Sequence, residues 1–174
     1  MRYNGAVQSA SFSVLTQTPG ILSGLLAAAT REQMDWKPAP DRWSITMVLA
    51  HLADVEVEGF RNRFRAMIEQ EAPLLPDYDQ LALFRSGVAF DAPQQLAAFV
   101  ARREETLVLL KGLPEQALER SGRHEELGTI TVGHLLNEFA LHDLGHIRQV
   151  AELYRARAFY PNIGPFQRYY TMHP

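Results

Sequence analysis

At 174 residues, the chain suits one domain with room for a substantial hydrophobic core. Its 17 basic and 20 acidic side chains leave a net charge of -3, which offers neither a nucleic-acid footprint nor a basic face for a membrane. Cysteine is absent, so disulfides, thiolate metal ligands and a cysteine nucleophile are excluded, and any bound metal must be held by His, Asp or Glu.

No basic N-terminal region followed by an apolar run precedes Pro19, and no apolar stretch approaches the roughly 20 residues that span a bilayer. The expectation is a soluble cytoplasmic protein with small-molecule or protein partners and no nucleic acid. Residues from Ala6 to Gln17 are weakly amphipathic through Val7, Phe12 and Leu15. Thr18-Pro19 then reads as an N-cap hydroxyl before a proline at the first helical position, with Ile21, Leu22, Leu25 and Leu26 inward in helix one. Trp36 to Trp43 contains Pro38 and Pro40, which remove donors and favour extended backbone before them, so it forms a rigid connector.

Ser44 is placed to cap helix two, whose inward positions are Ile45, Val48, Leu49, Leu52, Val55, Phe60, Phe64 and Met67, with an end near Glu71. Pro73 to Phe90 is a long connection with one short helical piece around Gln80 to Arg85, and connections of this size are often functional covers. Asp91 and Gln94 make a capping-box pattern for helix three, whose stripe is Leu96, Phe99, Val100, Arg103, Leu107 and Leu110 before Gly112 and Pro114 stop it. A small hairpin fits Glu119 to Thr131. Thr131 caps helix four, which runs to about Arg157 with Val132, Leu135, Leu136, Phe139, Ile147, Val150, Leu153 and Tyr154 inward. The expected fold is an all-α, up-down type four-helix bundle, its core spanning about 11–157 within a single domain, followed by an irregular aromatic tail over 158–174.

Chemistry concentrates in Leu141-His142-Asp143-Leu144-Gly145-His146-Ile147. Side chains four apart on a helix share a face, so His142 and His146 can address one point. A helical wheel turns both, with Asp143, into the arc of Leu135, Phe139, Val150 and Leu153. Burying two imidazoles and a carboxylate is costly unless they find partners, and a divalent cation would satisfy them together. His51 lies one turn from Val48 and Val55. Alone it reads as a core-edge histidine; facing the inward pair it becomes the third ligand of an open three-histidine site. Asp143 has two readings, as a ligand or as an anchor accepting a hydrogen bond from Trp43 or Ser44. Glu138, one turn before His142, reads as a solvated residue, a fourth ligand or an acceptor fixing that ring's tautomer. His124, His134 and His173 fall in expected loops or towards an outer edge. Trp43, Phe60, Tyr78 and Tyr154 are candidate pocket walls. A zincin protease is disfavoured, because Asp143 stands where His-Glu-x-x-His needs glutamate.

The series Thr18-Pro19, Pro38, Trp43-Ser44, His51-Leu52-Ala53-Asp54-Val55-Glu56 with Arg61, then Thr131, Leu135-Leu136, His142-Asp143 and His146 with Gln149, resembles the DinB/YfiT-like superfamily from about residue 18 to residue 150. The resemblance implies a homodimeric four-helix bundle with a divalent-metal site of three histidines, matched here by His51, His142 and His146. Zinc or nickel is the first expectation, manganese or iron the next. The resemblance leads to a metal-dependent thiol S-transferase using a low-molecular-weight thiol, with a metal-dependent hydrolase using Glu138 or Asp54 as base as one alternative. A non-catalytic binding module fastened by a structural metal is the other.

Overall fold

The computed structural model describes residues 5–85 and 87–174. Helix α1 spans Gly5–Leu26, α2 is the short Arg31–Asp35, and α3 spans Ile45–Val55. A π-helical segment, Glu56–Arg61, carries α3 without a break into α4, Asn62–Glu69. After the two-residue strand β1, Leu74–Leu75, come α5, Ala82–Arg85, and α6, Ala92–Lys111. A 3-10 turn leads to strands β2, Ser121–His124, and β3, Gly128–Thr131, and then to α7, Val132–Tyr154, which continues as a π-helical turn, Arg155–Phe159. No helix among the described residues is long and apolar enough to cross a membrane.

The expected caps form at three helices. Ser44 Oγ accepts from Met47 N–H, Asp91 Oδ1 from Gln94 N–H, and Thr131 Oγ1 from His134 N–H. Thr18-Pro19 is a correction: it starts no helix, and α1 runs straight through it. Proline inside a helix leaves the carbonyl four residues back without its donor, at a cost of about 3 kcal/mol. Here that carbonyl belongs to Leu15, and the buried Arg103 donates Nη1–H to it at 2.9 Å. Thr18 Oγ1 meanwhile donates back to Val14 O, tying its hydroxyl to the helix. The side chain of Val7 lies outside the described residues.

Two apolar clusters occupy the two halves of the bundle. One joins Leu15, Val55, Phe60, Phe64, Met67, Leu107, Leu110 and the start of α7 from Val132 to Phe139. The other joins Leu22, Leu26, the start of α3 from Ile45 to Ala53, Ala92, Phe99 and the end of α7 at Val150 and Leu153. Helices α1 and α7 therefore run one way, and α3–α4 and α6 run the other. Ion pairs agree, since Arg103 meets Glu56 while Arg61 meets Glu105 further along both helices. Two successive long helices pointing the same way need a long return, and residues 70–91 supply it.

The expected hairpin is present within Glu119 to Thr131, and a third strand, β1, joins it. β2 pairs antiparallel with β3 and parallel with β1, in the order β1-β2-β3. Gly122 makes this possible: a Cβ there would meet Leu75 Cδ1 at 2.8 Å and Met67 Cγ at 3.1 Å. Arg120 donates to Met67 O and Gln70 O, closing the C-terminal end of α4. The tail is not irregular throughout, because Tyr160–Asn162 and Gly164–Tyr169 are 3-10 turns. They return the chain along α7, where His173 N–H donates to Glu152.

Candidate metal centre

His51 comes from α3, and His142 and His146 come from successive turns of α7, which packs against it. The rings meet through one kind of atom. Nε2 of His142 lies 3.1 Å from Nε2 of His51 and 3.2 Å from Nε2 of His146. Gln149 Oε1 lies 2.9 Å from Nδ1 of His146, and since an amide oxygen only accepts, the ring proton sits on Nδ1 and leaves the Nε2 lone pair free. Nδ1 of His51 and of His142 is buried with no hydrogen-bond partner.

This donor set fits a divalent cation. Imidazole nitrogens about 2.1 Å from a metal lie roughly 3.0 Å apart at right angles and roughly 3.4 Å apart at tetrahedral angles, and the two observed separations fall between these values. Among the described residues, these three histidines are the group whose ligand atoms lie close enough together to hold a metal ion.

Aromatic side chains pack around the histidines, of which His51 is buried and His142 and His146 are half-buried. The Trp43 ring lies parallel to His146 and 5.1 Å from His51, and Phe84 from α5 meets it edge-on at 5.0 Å. Tyr78 approaches His51 at 6.0 Å and Phe60 meets His142 edge-on at 5.3 Å. Of the four expected wall residues, Tyr154 alone packs elsewhere, against Phe159. Burial, reinforced by His146, lowers the pKa of His51 to about 3. Burial, then His146, His51 and Arg103, lowers that of His142 to about 2. His146 is also lowered, again mainly by burial. The rings are thus neutral and ready to ligate at physiological pH.

Asp143 is fully buried and turns away from the histidines. Its expected partners, Trp43 or Ser44, are replaced by Arg103 on α6: Arg103 Nη1 donates to Oδ2 at 2.6 Å and Nη2 to Oδ1 at 3.0 Å. Nε of the same guanidinium donates to Glu56, Nη2 lies 2.8 Å from Glu56 Oε2, and Nη1 also reaches Leu15 O. All five N–H groups of Arg103 are thereby used, and Phe99 and Phe139 cover its flat faces. The arginine joins the residue beside His142 to the residue five positions beyond His51. Its signal in the sequence is a charged residue in the apolar stripe of α6.

Among the described residues, three cavities touch the histidines, the smallest, of ≈350 Å³, between His146, Gln149, Trp43, Asp41 and Arg42. A chamber of ≈370 Å³ takes in His51, His142, Tyr78, Glu138, Arg63 and His124. A cleft of ≈780 Å³ opens on the other side of His142 and His146. Glu138 is exposed and lines the chamber; it forms no hydrogen bond with the His142 ring, whose Nδ1 is unpartnered. Asp54 is engaged, accepting from the Tyr78 hydroxyl at 2.7 Å. His124, expected in a loop, is buried on β2, and its Nδ1 accepts from the N–H groups of Glu126 and Leu127. Strand alternation places it on the same face as Gly122, a signal open to a reading of the hairpin.

Residues 15–150, which include all three histidines, match the family model of the DinB superfamily. The chain belongs to the DinB superfamily. Among curated DinB-like relatives it is 25% identical over 138 residues to OB0782 of Oceanobacillus iheyensis, covering 78% of each chain. It is 26% identical over 145 residues to YfiT of Bacillus subtilis, covering 82% of this chain and 81% of YfiT. Both relatives are named as candidate metal-dependent hydrolases. The solved structure of YfiT superposes with a TM-score of 0.75 over 86% of both chains, and that protein is described as having an unusual four-helix bundle topology.

Proposed function

We propose that this DinB-family chain is a metal-dependent hydrolase of a small molecule, with the metal held by Nε2 of His51, His142 and His146. The observation that carries the reading is the convergence of three neutral imidazole nitrogens between an acidic chamber and an open cleft. A divalent ion bound there would supply Lewis acidity and a water of lowered pKa.

The chain's own residues divide the remaining work. Gln149 fixes the His146 tautomer, and Trp43, Phe60 and Tyr78 pack around the rings. Tyr78 keeps its proton, because burial and the neighbouring Asp54 raise its pKa, so the Tyr78–Asp54 pair braces the wall. Among the chamber carboxylates, Glu138 stands one helical turn before His142 and is the one placed to accept a proton from water at its side-chain oxygen. Hydrolysis is preferred to the expected thiol S-transfer because both relatives are named as candidate metal-dependent hydrolases, and no feature of the chamber favours a thiol.

The test begins with protein purified without a nickel column and offered zinc, nickel, manganese or iron. One ion per chain should bind to the wild type and be lost in His51→Ala and His142→Ala. Glu138→Gln should keep the metal and lose about 100-fold or more in hydrolysis of an ester or amide panel. A wild-type chain that binds none of these metals would sink the reading. Unfolding on metal removal, with no turnover on any substrate, would instead assign a structural metal.

A further inference from the structure

We propose that the cleft beside His142 and His146 binds an anionic group of the substrate, a carboxylate or a phosphate, through Arg42, Arg148 and Arg155; this rests on the hydrolase reading. The three arginines come from separate places, the tryptophan connector, α7 and the π-helical turn beyond it, and line the same ≈780 Å³ cavity. That volume suits a small-molecule ligand, for which about 300–1,000 Å³ is usual.

The charge balance in this cavity is opposite to that of the chain. Three guanidiniums face one carboxylate side chain, Glu152, and the carboxyl group of the last residue, Pro174, so positive charge is in excess there in a protein of net charge -3. Glu152 is already engaged, since it accepts from His173 N–H at 2.8 Å and lies 3.3 Å from Arg155 Nε. Arg42 donates to Pro174 O, in the carboxyl group of the last residue, and Arg148 takes part in no side-chain ion pair among the described residues.

Across the histidines the sign reverses. Three carboxylates, Asp77, Glu126 and Glu138, face one arginine, Arg63, in the smaller chamber. An anionic substrate is therefore drawn to one side of the histidines and repelled from the other. Its charged end would lie in the arginine cleft, with the group to be cleaved towards the histidines and the Glu138 side left to proton transfer. Guanidinium forks match the planar geometry of carboxylate and phosphate oxygens, and a neutral ligand filling this cleft would desolvate the arginines without compensating them.

The experiment is calorimetric titration of the full chain, both metal-free and zinc-loaded, with succinate and with inorganic phosphate at low ionic strength. Saturable binding of one anion, already present without metal, is expected, and the anion that binds identifies the substrate group. Arg42→Gln and Arg148→Gln should each weaken it roughly tenfold. Both side chains are exposed, so these variants should fold, and their melting curves check it. Absence of binding by either anion overturns the inference, as does unchanged binding in both variants. The metal-free arm separates this result from the hydrolase reading. Hydrolysis of neutral esters without anion binding removes the arginine cleft alone, whereas anion binding without any turnover removes the hydrolysis alone.

Discussion

His51, with 2% of its surface exposed, and its two partners on α7 occupy surroundings that oppose their protonation, and this sets a pH dependence. In the unfolded chain each ring has the ordinary value of 6.5; in the folded chain His51 is lowered to about 3 and His142 to about 2. Above pH 6.5 both states are neutral and the rings cost nothing. Below it the unfolded chain takes up protons that the folded chain refuses, so stability falls progressively towards pH 3. Urea unfolding in the presence of a chelator should show this decline between pH 7 and pH 4, and His142→Asn should make it shallower. Equal slopes in wild type and variant would contradict it. The α7 pair is legible in the sequence because four-residue spacing and the apolar arc around it both follow from helix geometry. Gln149 is three residues from His146, so its role is equally local. The partner of Asp143 is not local: Arg103 lies 40 residues away on another helix, and no pattern within α7 points to it.

At the level of elements, the π-helical segment has a signature in the apolar stripe. Inward positions of α3 recur at three and four residues until Val55, and the next is Phe60, a step of five. That step matches a single wide turn, which keeps Phe64 and Met67 in the core while also burying Glu56 and Arg61. Glu56, Arg103 and Asp143 then join α3, α6 and α7, the middle helix holding the two that carry histidines. Arg103→Met should destabilise the protein by about 3–5 kcal/mol, because two buried carboxylates lose their counter-charge. Replacing all three together, Arg103→Met with Glu56→Leu and Asp143→Leu, should recover much of that loss, since an apolar core needs no partner. Denaturant melts of the two variants decide the point. If the triple variant is the less stable one, the ion cluster itself contributes net stability. The course of α1 through Pro19 belongs to the same cluster. Thr18-Pro19 carries the local pattern of a helix start, and only the distant guanidinium at Leu15 O overrides it.

For the whole molecule, amphipathic periodicity makes the four long helices and three of their caps legible, while the start of α1 and the helix directions depend on contacts between helices. Residues 70–91 carry the chain back to the end where α3 began, and on the way Tyr78 and Phe84 cover His51 and Trp43. The cover was legible as a long connection; the parallel pairing of β1 with β2 was not, because a two-residue strand carries no periodicity. His51 and His142 stand 91 positions apart, and α7 is the last long helix of the chain. Their junction closes a loop of 91 residues, so it is expected on the late side of the folding barrier. Saturating zinc should then slow unfolding by tenfold or more and leave the refolding rate nearly unchanged, as stopped-flow measurements in urea would show. Faster refolding with zinc would instead place the histidine junction in the folding nucleus. In a cell, such a late junction would make metal supply govern how long a folded molecule lasts, with little influence on how quickly it is made.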